Sequence, residues 1–598
     1  MNSPLVARLI LTIGVTGHRA SRLADVDMAA LAAAVDETLG KIALAAVLPG
    51  FPVQLRLVTA LADGADAIVA ECAVARGWQL ASVLPFAREA YQADFAAPES
   101  LAAYQRLLAA SHAVFELPGV HHDDESPGAY ERAGRIVLAQ SDIVLALWDG
   151  RPAQGRGGTA QIVGEAVAQD IPVIQIDPRG GRGAVLLWDG LTEHDLGQQS
   201  VATVPRGSLD ALPGLIGKLL LPPGDRISRE QIAQLAKPRP PRAMVAIVYP
   251  LLLAITGVQR LAPRHFRPAD GKAAGALFRE CFIPVAPRTG IFGANLETVL
   301  LPRFVQADTI SNETAQLFRS SYVSNFILSA IAVLLTLLSL ALPISAKPLL
   351  LFLELLTIAT VLALTTAGNR RGWHGRWLDN RILAESLRCL ALSAQIGRLH
   401  RAGGGQRSDI PDWVRYYLRL TAQELGLPDA VADRAYLGEV RAGLGNLIDS
   451  QIAYLAGEAQ RMHRLDHRLH RLGTALFAST ALACIVALAF EAGLTLLHRE
   501  LSAAAMHVFL VSITTVTAGL PALGAAIYGI RMQGEFATVG ERARTLLLQL
   551  GALRHTIDTD ELSFDLLQRR IEHLTALLTT DIATWRRTYH ARPLALPG

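Results

Sequence analysis

Short apolar runs and long ones divide this chain. Runs at residues 9–15, 54–58, 79–84, 112–117, 143–148 and 171–176 are brief, and the one at 143–148 has the length and β-branched content of a buried strand bounded by turn residues. That is the signature of strands buried on both faces of a parallel sheet. Helical patterns at 24–47, 65–76, 88–95 and 160–169 lie between them, and the alternation predicts an α/β domain over residues 1–185. Beyond residue 320 the runs lengthen. Residues 323–344, 349–367, 473–490 and 506–530 are each long and apolar enough to cross a bilayer, and pair as two helical hairpins.

Arginine sets their expected orientation. Arg370, Arg371, Arg376 and Arg381 follow the second span and Arg461, Arg464, Arg468 and Arg471 precede the third, whereas the connecting turns hold only Lys347 and Arg499. Both hairpins should then turn outside, with both termini and residues 368–472 in the cytoplasm. The charge-free stretch 243–259 is interrupted by Pro250, and spanning there would put the α/β domain on the wrong side of those arginines. A buried or interfacial helix is expected instead.

The hairpins also resemble one another. Ala315-Gln316 with Arg319 precedes the first and Ala459-Gln460 with Arg461 the second, and each is followed by a leucine pattern, from 378 and from 541. An internal repeat and the common demands of helical hairpins explain this equally well. Leu383, Leu387 and Leu390 have spacing suited to helices packing in the cytoplasm. The segments LPPGD at 221–225 and KPRPPR at 237–242 read as linkers. The expected organisation is a ligand-binding domain at 1–185, a coupling region at 186–310, a first hairpin with cytoplasmic helices at 311–400, a cytoplasmic helical region at 401–455, and a second hairpin with C-terminal helices at 456–598.

Composition agrees with a membrane protein: 51% hydrophobic, 18% charged, mean hydropathy +0.30. At 598 residues the chain exceeds one core. A net charge of +3 gives no sign of a nucleic-acid partner. Cys72, Cys281, Cys389 and Cys484 form no CxxC pair, so structural zinc and dithiol redox chemistry lack support and small buried hydrophobes in a reducing cytosol are expected. The N-terminal apolar run is short, carries Arg8 inside it and leads directly into the first glycine loop, unlike a signal peptide.

Candidate chemistry gathers where strands end. After the strand at 143–148, Asp149-Gly150 closes the element, Gly155, Gly157 and Gly158 form a turn, and Thr159 is expected to cap a helix at 160–169. Strand, glycine loop and helix present backbone N–H groups to an anion, with phosphate the natural guest, although such glycines also serve plain crossover turns. A second loop holds Gly14, Thr16, Gly17, His18 and Arg19, and a third Thr59, Asp63, Gly64, Ala65 and Asp66. All three should face one edge of the sheet, where open α/β folds bind ligands. Asp149 suits a ribose hydroxyl and Asp63 or Asp66 suit loop ordering, yet each is equally a turn-former. The HHDDES segment at 121–126 lacks metal-ligand spacing and reads as a solvated loop, so no metal is assigned. In the membrane part Glu354 is a candidate for gating or for pairing with a neighbouring helix, Pro521 for a kink, and Ala518, Ala522 and Ala526 for a close-packing stripe.

These motifs carry a resemblance. GVTGHR at 14–19, LADGAD at 61–66, LPFAREAYQADF at 84–95 and ALWDG followed by GGTA at 157–160 resemble the SLOG superfamily, the Rossmann-like fold shared by DprA DNA-processing proteins, LOG phosphoribohydrolases and nucleotide-sensing modules. The resemblance implies a nucleotide-derived ligand, a cyclic nucleotide or an ADP-ribose or NAD derivative, on the three loops, and puts Arg88, Tyr91 and Asp94 at the pocket edge; by themselves they suit any amphipathic helix. LOG enzymes carry PGGxGTxxE, but here the first carboxylate after Gly157-Gly158-Thr159 is Glu165. Phosphoribohydrolase activity is therefore doubtful, no catalytic residue is assigned, and no cofactor is required. Residues 307–335, 375–388, 412–430 and 581–598 resemble transmembrane effectors associated with SMODS and SLOG proteins in bacterial conflict systems. Together these imply a multi-pass sensor of the bacterial inner membrane, with the lipid bilayer and further copies of itself as partners, that perturbs or perforates the membrane in defence against phage. A membrane-tethered hydrolase, and a channel or transporter using the SLOG fold for assembly, are the alternatives.

Overall fold

A computed structural model describes residues 6–122, 125–152, 157–180, 183–188, 199–236, 244–267, 270–399, 410–498, 502–590, 594 and 596. Gly155, two residues of HHDDES, the KPRPPR segment, Arg499, residues 401–409 and six residues of the closing motif lie outside the described residues.

The predicted strands form. β1 (Leu9–Gly17), β2 (Val53–Thr59), β3 (Gln79–Phe86), β4 (Ser111–Gly119), β5 (Ile143–Leu147) and β6 (Val173–Ile176) are parallel neighbours, in the order β6-β5-β1-β2-β3-β4. Every residue of β5 is buried, as both faces of a parallel sheet require. Helices α1 (Met28–Ala45), α2 (Ala65–Ala75), α3 (Arg88–Tyr91), α4 (Pro98–Ala110), α5 (Ser126–Gln140) and α6 (Thr159–Ala168) are the connections. Asp27 caps α1 by accepting from the amides of Ala29 and Ala30.

The sheet runs past the boundary read at 185. β7 (Val185–Leu187) and β8 (Arg206–Gly207) add antiparallel strands beyond β6, and α7 (Leu212–Leu220) returns Leu212, Leu215, Ile216 and Leu220 to the core of β1 and α1. At the other edge β9 (Ala430–Val431) pairs with β4 across three hundred residues of chain, completing nine strands among the described residues. Strands of two or three residues carry no readable periodicity.

The rest is helical. After α8 (Arg226–Leu235), the apolar stretch read as buried or interfacial holds α9 (Val248–Ile255), which buries Tyr249, Pro250 and Leu253 and leaves Leu251 and Ile255 exposed. α10 (Lys272–Phe282) and α11 (Gly290–Asn295) lead through a π-helical turn at Leu296–Leu300 into α12 (Leu301–Ala341). α13 (Lys347–Arg370) returns, and α14 (Trp373–Ser393) folds back along α12. After α15 (Asp412–Leu425) the pattern recurs: α16 (Arg434–Leu496), then α17 (Ala503–Gly534), then α18 (Phe536–Thr559) lying back along α16. Each return helix breaks at a left-handed residue, Gly372 (φ 60°) or Glu535 (φ 46°), so the two hairpins share a backbone plan. α19 (Phe564–His590) closes the bundle. Four of these helices, α12, α13, α16 and α17, are apolar and long enough to cross a membrane.

Sheet and helices are not separate bodies. Val83 and Phe115 share one core with Leu387, Trp413, Tyr436 and Phe564, and buried polar contacts seal the seam: Thr12 donates to Gln423 at 2.6 Å, Arg419 pairs with Asp142 at 2.8 Å, and Arg303 with Glu424 at 2.5 Å. The leucines at 383, 387 and 390 are buried here.

Candidate functional site

The strand order reverses between β1 and β5. The chain runs outward from β1 through β2, β3 and β4, then crosses back to place β5 on the other side of β1. At such a switch point the loops leave in opposite directions and open a crevice at the carboxyl ends of the strands. His18 and Arg19 leave one strand there, and Asp149 and Gly150 the other. His18 Nε2 lies 3.2 Å from the Asp149 carboxylate, closing the crevice floor.

Neighbouring residues crowd the same edge. Arg19 stacks over Tyr130 of α5 at 4.3 Å and pairs with Asp94 at 3.4 Å. Asp94 accepts from Tyr130 at 2.6 Å and lies 2.7 Å from His121 Nε2. Tyr91 is wholly buried, its hydroxyl without a hydrogen-bond partner among the described residues; burial, then the Asp66 and Asp94 carboxylates, push its phenol well above the usual range. An orphaned hydroxyl in such a cluster is a donor lacking an acceptor.

The loop residues are placed as follows. Gly14 lies inside β1, where a Cβ would fall 1.8 Å from Ser141 Oγ, and at Gly17 one would fall 2.3 Å from Ala65 Cβ. Both are packing glycines, with Thr16 partly buried between them. The second and third loops are laced together, Ala65 N–H donating to His18 O and Ala20 N–H to Asp63 O, each at 3.1 Å. Gly64 makes this possible at φ 108°, where a Cβ would strike the Ala20 amide. Asp66 orders its loop, accepting from Thr59 Oγ1 at 2.9 Å and Ala60 N–H at 3.2 Å, and burial pushes its carboxyl up to about 6. Arg88 is bonded to buried Glu116 at 2.5 Å, so its guanidinium already has a carboxylate.

Thr159 is corrected: it is the first helical residue, and Gly158 takes the cap position. The reason is Gln161, whose side chain reaches back to the Gly157 N–H at 2.9 Å and replaces a threonine cap, in the manner of a capping box. Glu165 is held by Arg135 at 2.7 Å and by Gln161 at 3.0 Å. Burial raises its carboxyl but these partners outweigh it and hold it below the usual range. Two cavities lie off this edge: one of about 390 Å³ between α5 and α19, bordered by Glu131, Arg132, Arg135 and Asp565, and one of about 180 Å³ inside the helical bundle.

In the spanning helices, Glu354 is partly exposed on α13 and its carboxylate has no ion-pair partner among the described residues. Pro521 sits inside continuous α17. The alanine stripe is displaced. Ala526 is buried but Ala518 is exposed, and close approach occurs instead at Gly519, Gly524 and Gly529, against Leu334, Phe477 and Phe326. Cys281 and Cys389 are buried and Cys72 partly so, whereas Cys484 is exposed on the outer half of α16. Among the described residues no group of His, Cys, Asp or Glu is placed to hold a metal ion.

Sequence reasoning missed Tyr130 and His121 at this edge. A lone tyrosine in a helical pattern and a histidine in a polar loop carry no signal until the fold brings them to Asp94. No protein-family model matches the chain, and no curated protein matches it.

Proposed function

We propose that this protein is a membrane-anchored sensor whose α/β domain binds an anionic, nucleotide-derived ligand in the crevice between the ends of β1 and β5. The ligand's occupancy biases the arrangement of the four apolar helices and so the permeability of a bacterial inner membrane, in defence against phage. The observation that carries this is the convergence on one switch point of residues 14–19 and 149–150, which resemble SLOG proteins, with the orphaned Tyr91 hydroxyl behind them. Arg19, half exposed and no closer than 3.4 Å to Asp94, supplies the cation. Glu165, already bound by Arg135, favours binding over hydrolysis.

The shared core supports transmission. α12 runs about 60 Å at 1.5 Å per residue from the Arg303–Glu424 contact beside the sheet to the far end of its apolar half, so a change at the sheet has a rigid path outward. Self-association follows from exposure. At most 22% of the apolar window of any spanning helix is buried within the chain, and Glu354 on α13 would be costly against lipid. Neighbouring copies would cover both.

The test is calorimetry on the full chain in lipid nanodiscs, because a fragment ending near residue 220 would expose the core shared with α14, α15 and α19. Cyclic nucleotides, NAD and ADP-ribose are titrated, with products followed by mass spectrometry. Micromolar binding of one intact compound is expected, weakened at least tenfold in Arg19→Ala and abolished in Gly158→Glu, with that compound alone releasing dye from liposomes carrying the protein. Silence across the panel would sink the proposal for these ligand classes, and turnover would replace it with a hydrolase.

A further inference from the structure

Arg19 at the sheet edge already has Asp94 beside it, whereas Arg319 in the helical bundle has no ion pair among the described residues. The cavity of about 180 Å³ opens among α9, α12, α14, α16, α18 and α19. Six charged side chains line it, and five have partners: Arg542 with Asp581 at 2.5 Å, Glu458 with Arg461 at 2.6 Å, Glu385 with Arg388 at 2.9 Å and Arg381 with Asp308 at 3.6 Å. The sixth is Arg319 of α12. Its guanidinium lies over Trp377 at 5.1 Å and Tyr249 at 5.5 Å and makes no hydrogen bond or ion pair among the described residues. Arg319 thus faces the cavity without a direct ion pair, with Glu458 acting on it only from beyond bonding distance, and the walls are aromatic, Trp377 and Trp585 meeting edge to face at 4.9 Å. One turn away Gln316 lines the same space, its Oε1 buried with no donor among the described residues.

A guanidinium with no carboxylate in bonding contact, in a half-enclosed site, is a receptor for an oxyanion, and a free amide oxygen beside it accepts from a hydroxyl. The volume exceeds the ~150 Å³ that holds a benzene-sized guest. That is room for a phosphate bearing a small hydroxylated group. Position narrows the source. Arg319 precedes the apolar run beginning at Val323 by one helical turn, about 6 Å, on the side where α14 and α18 pack, and basic pockets at that depth suit lipid headgroups.

We infer that this cavity binds a phosphate-bearing anion through Arg319, and that the phosphate belongs to the headgroup of an anionic glycerophospholipid whose chains lie along the apolar halves of the helices. The first hairpin's α12 and α14 and the second's α16 and α18 form the walls, so an occupied site ties the two hairpins together and favours whichever arrangement keeps the walls closed. This does not rest on the ligand proposed for the sheet edge.

The full chain in a neutral detergent is titrated with dihexanoyl-phosphatidylglycerol, dihexanoyl-phosphatidylcholine and inorganic phosphate. Phosphatidylglycerol should bind at least tenfold more tightly than phosphatidylcholine. Arg319→Gln should weaken it tenfold or more, while Arg544→Gln, exposed on α18, should change it less than twofold. On the wild-type chain, phosphatidylglycerol should slow hydrogen exchange in peptides spanning 311–322 and 581–589, which keeps the test decisive if Arg319→Gln does not fold. Equal losses in both variants, or no protection of those peptides, would overturn the site. Inorganic phosphate competing as well as the lipid would overturn the lipid assignment.

Discussion

The two halves of α12 are one helix in two surroundings. From Leu301 to Asn325 it buries Arg303, Phe304, Ala307, Phe318 and Tyr322 against the sheet and its neighbours, whereas beyond Asn325 only Ala330 is buried. α16 behaves alike: its buried residues end at Leu469, and the remaining turns are exposed within the chain. The inner halves are specified by this chain's own contacts, polar ones included. The outer halves are apolar on all sides, so their order comes from lipid or neighbouring copies and from a few sites of close approach.

The sharpest way to break the inner half is at Arg303. Its side chain is fully buried, bonded to Glu424 at 2.5 Å and Thr421 at 3.0 Å. Arg303→Met leaves a carboxylate that is itself only 8% exposed to the Arg8 amide at 3.2 Å and the exposed Arg8 guanidinium at 3.6 Å, and should cost about 3–5 kcal/mol. Thermal unfolding in nanodiscs reads this, and adding Glu424→Gln should recover most of the loss. A double variant no better than the single one would mean that arginine's packing, not its charge, holds the seam.

How far the sequence revealed each half follows from the same physics. Long apolar runs and fully buried strands such as Ile143–Leu147 announce themselves, because composition alone decides their surroundings. The seam does not. Asp142, Gln423 and Glu424 are polar residues on unremarkable elements, and only the fold shows that they meet Arg419, Thr12 and Arg303. At the candidate site the glycine motifs lie at strand ends on one edge of the sheet, yet Gly14 and Gly17 serve packing, and Tyr130 and His121, three-dimensional neighbours of Asp94, carry no signal in the sequence.

A second prediction tests whether the third loop is held by a buried carboxyl. Burial raises Asp66 to about 6 from an ordinary value of 3.8. The folded state therefore binds the proton more tightly than the unfolded state, so the contribution to stability is full below about pH 4 and is lost as pH rises through 6. Asp66→Asn keeps an acceptor for Thr59 and Ala60 but has no proton to lose. The stability of the variant relative to wild type should climb by about 2–3 kcal/mol between pH 4 and pH 7. Parallel curves would show that the carboxyl is not buried as described.

The smallest effects separate the outer half from the inner one. At Gly529 of α17 a Cβ would fall 2.2 Å from the Phe326 ring of α12, whereas at Gly551 of α18 it would meet nothing within 4 Å. Without the Gly529 hydrogen surface the ring must leave its seat, so Gly529→Ala should cost about 1–3 kcal/mol. Gly551→Ala stiffens an exposed helix position and should add about 0.5–1 kcal/mol. Both are read as melting shifts in one nanodisc preparation. Opposite signs would show that α12 and α17 are locked by a contact within the chain even where almost nothing else is buried. Two gains would mean that the spanning helices touch only loosely in the protomer, leaving lipid and neighbouring copies to set their arrangement.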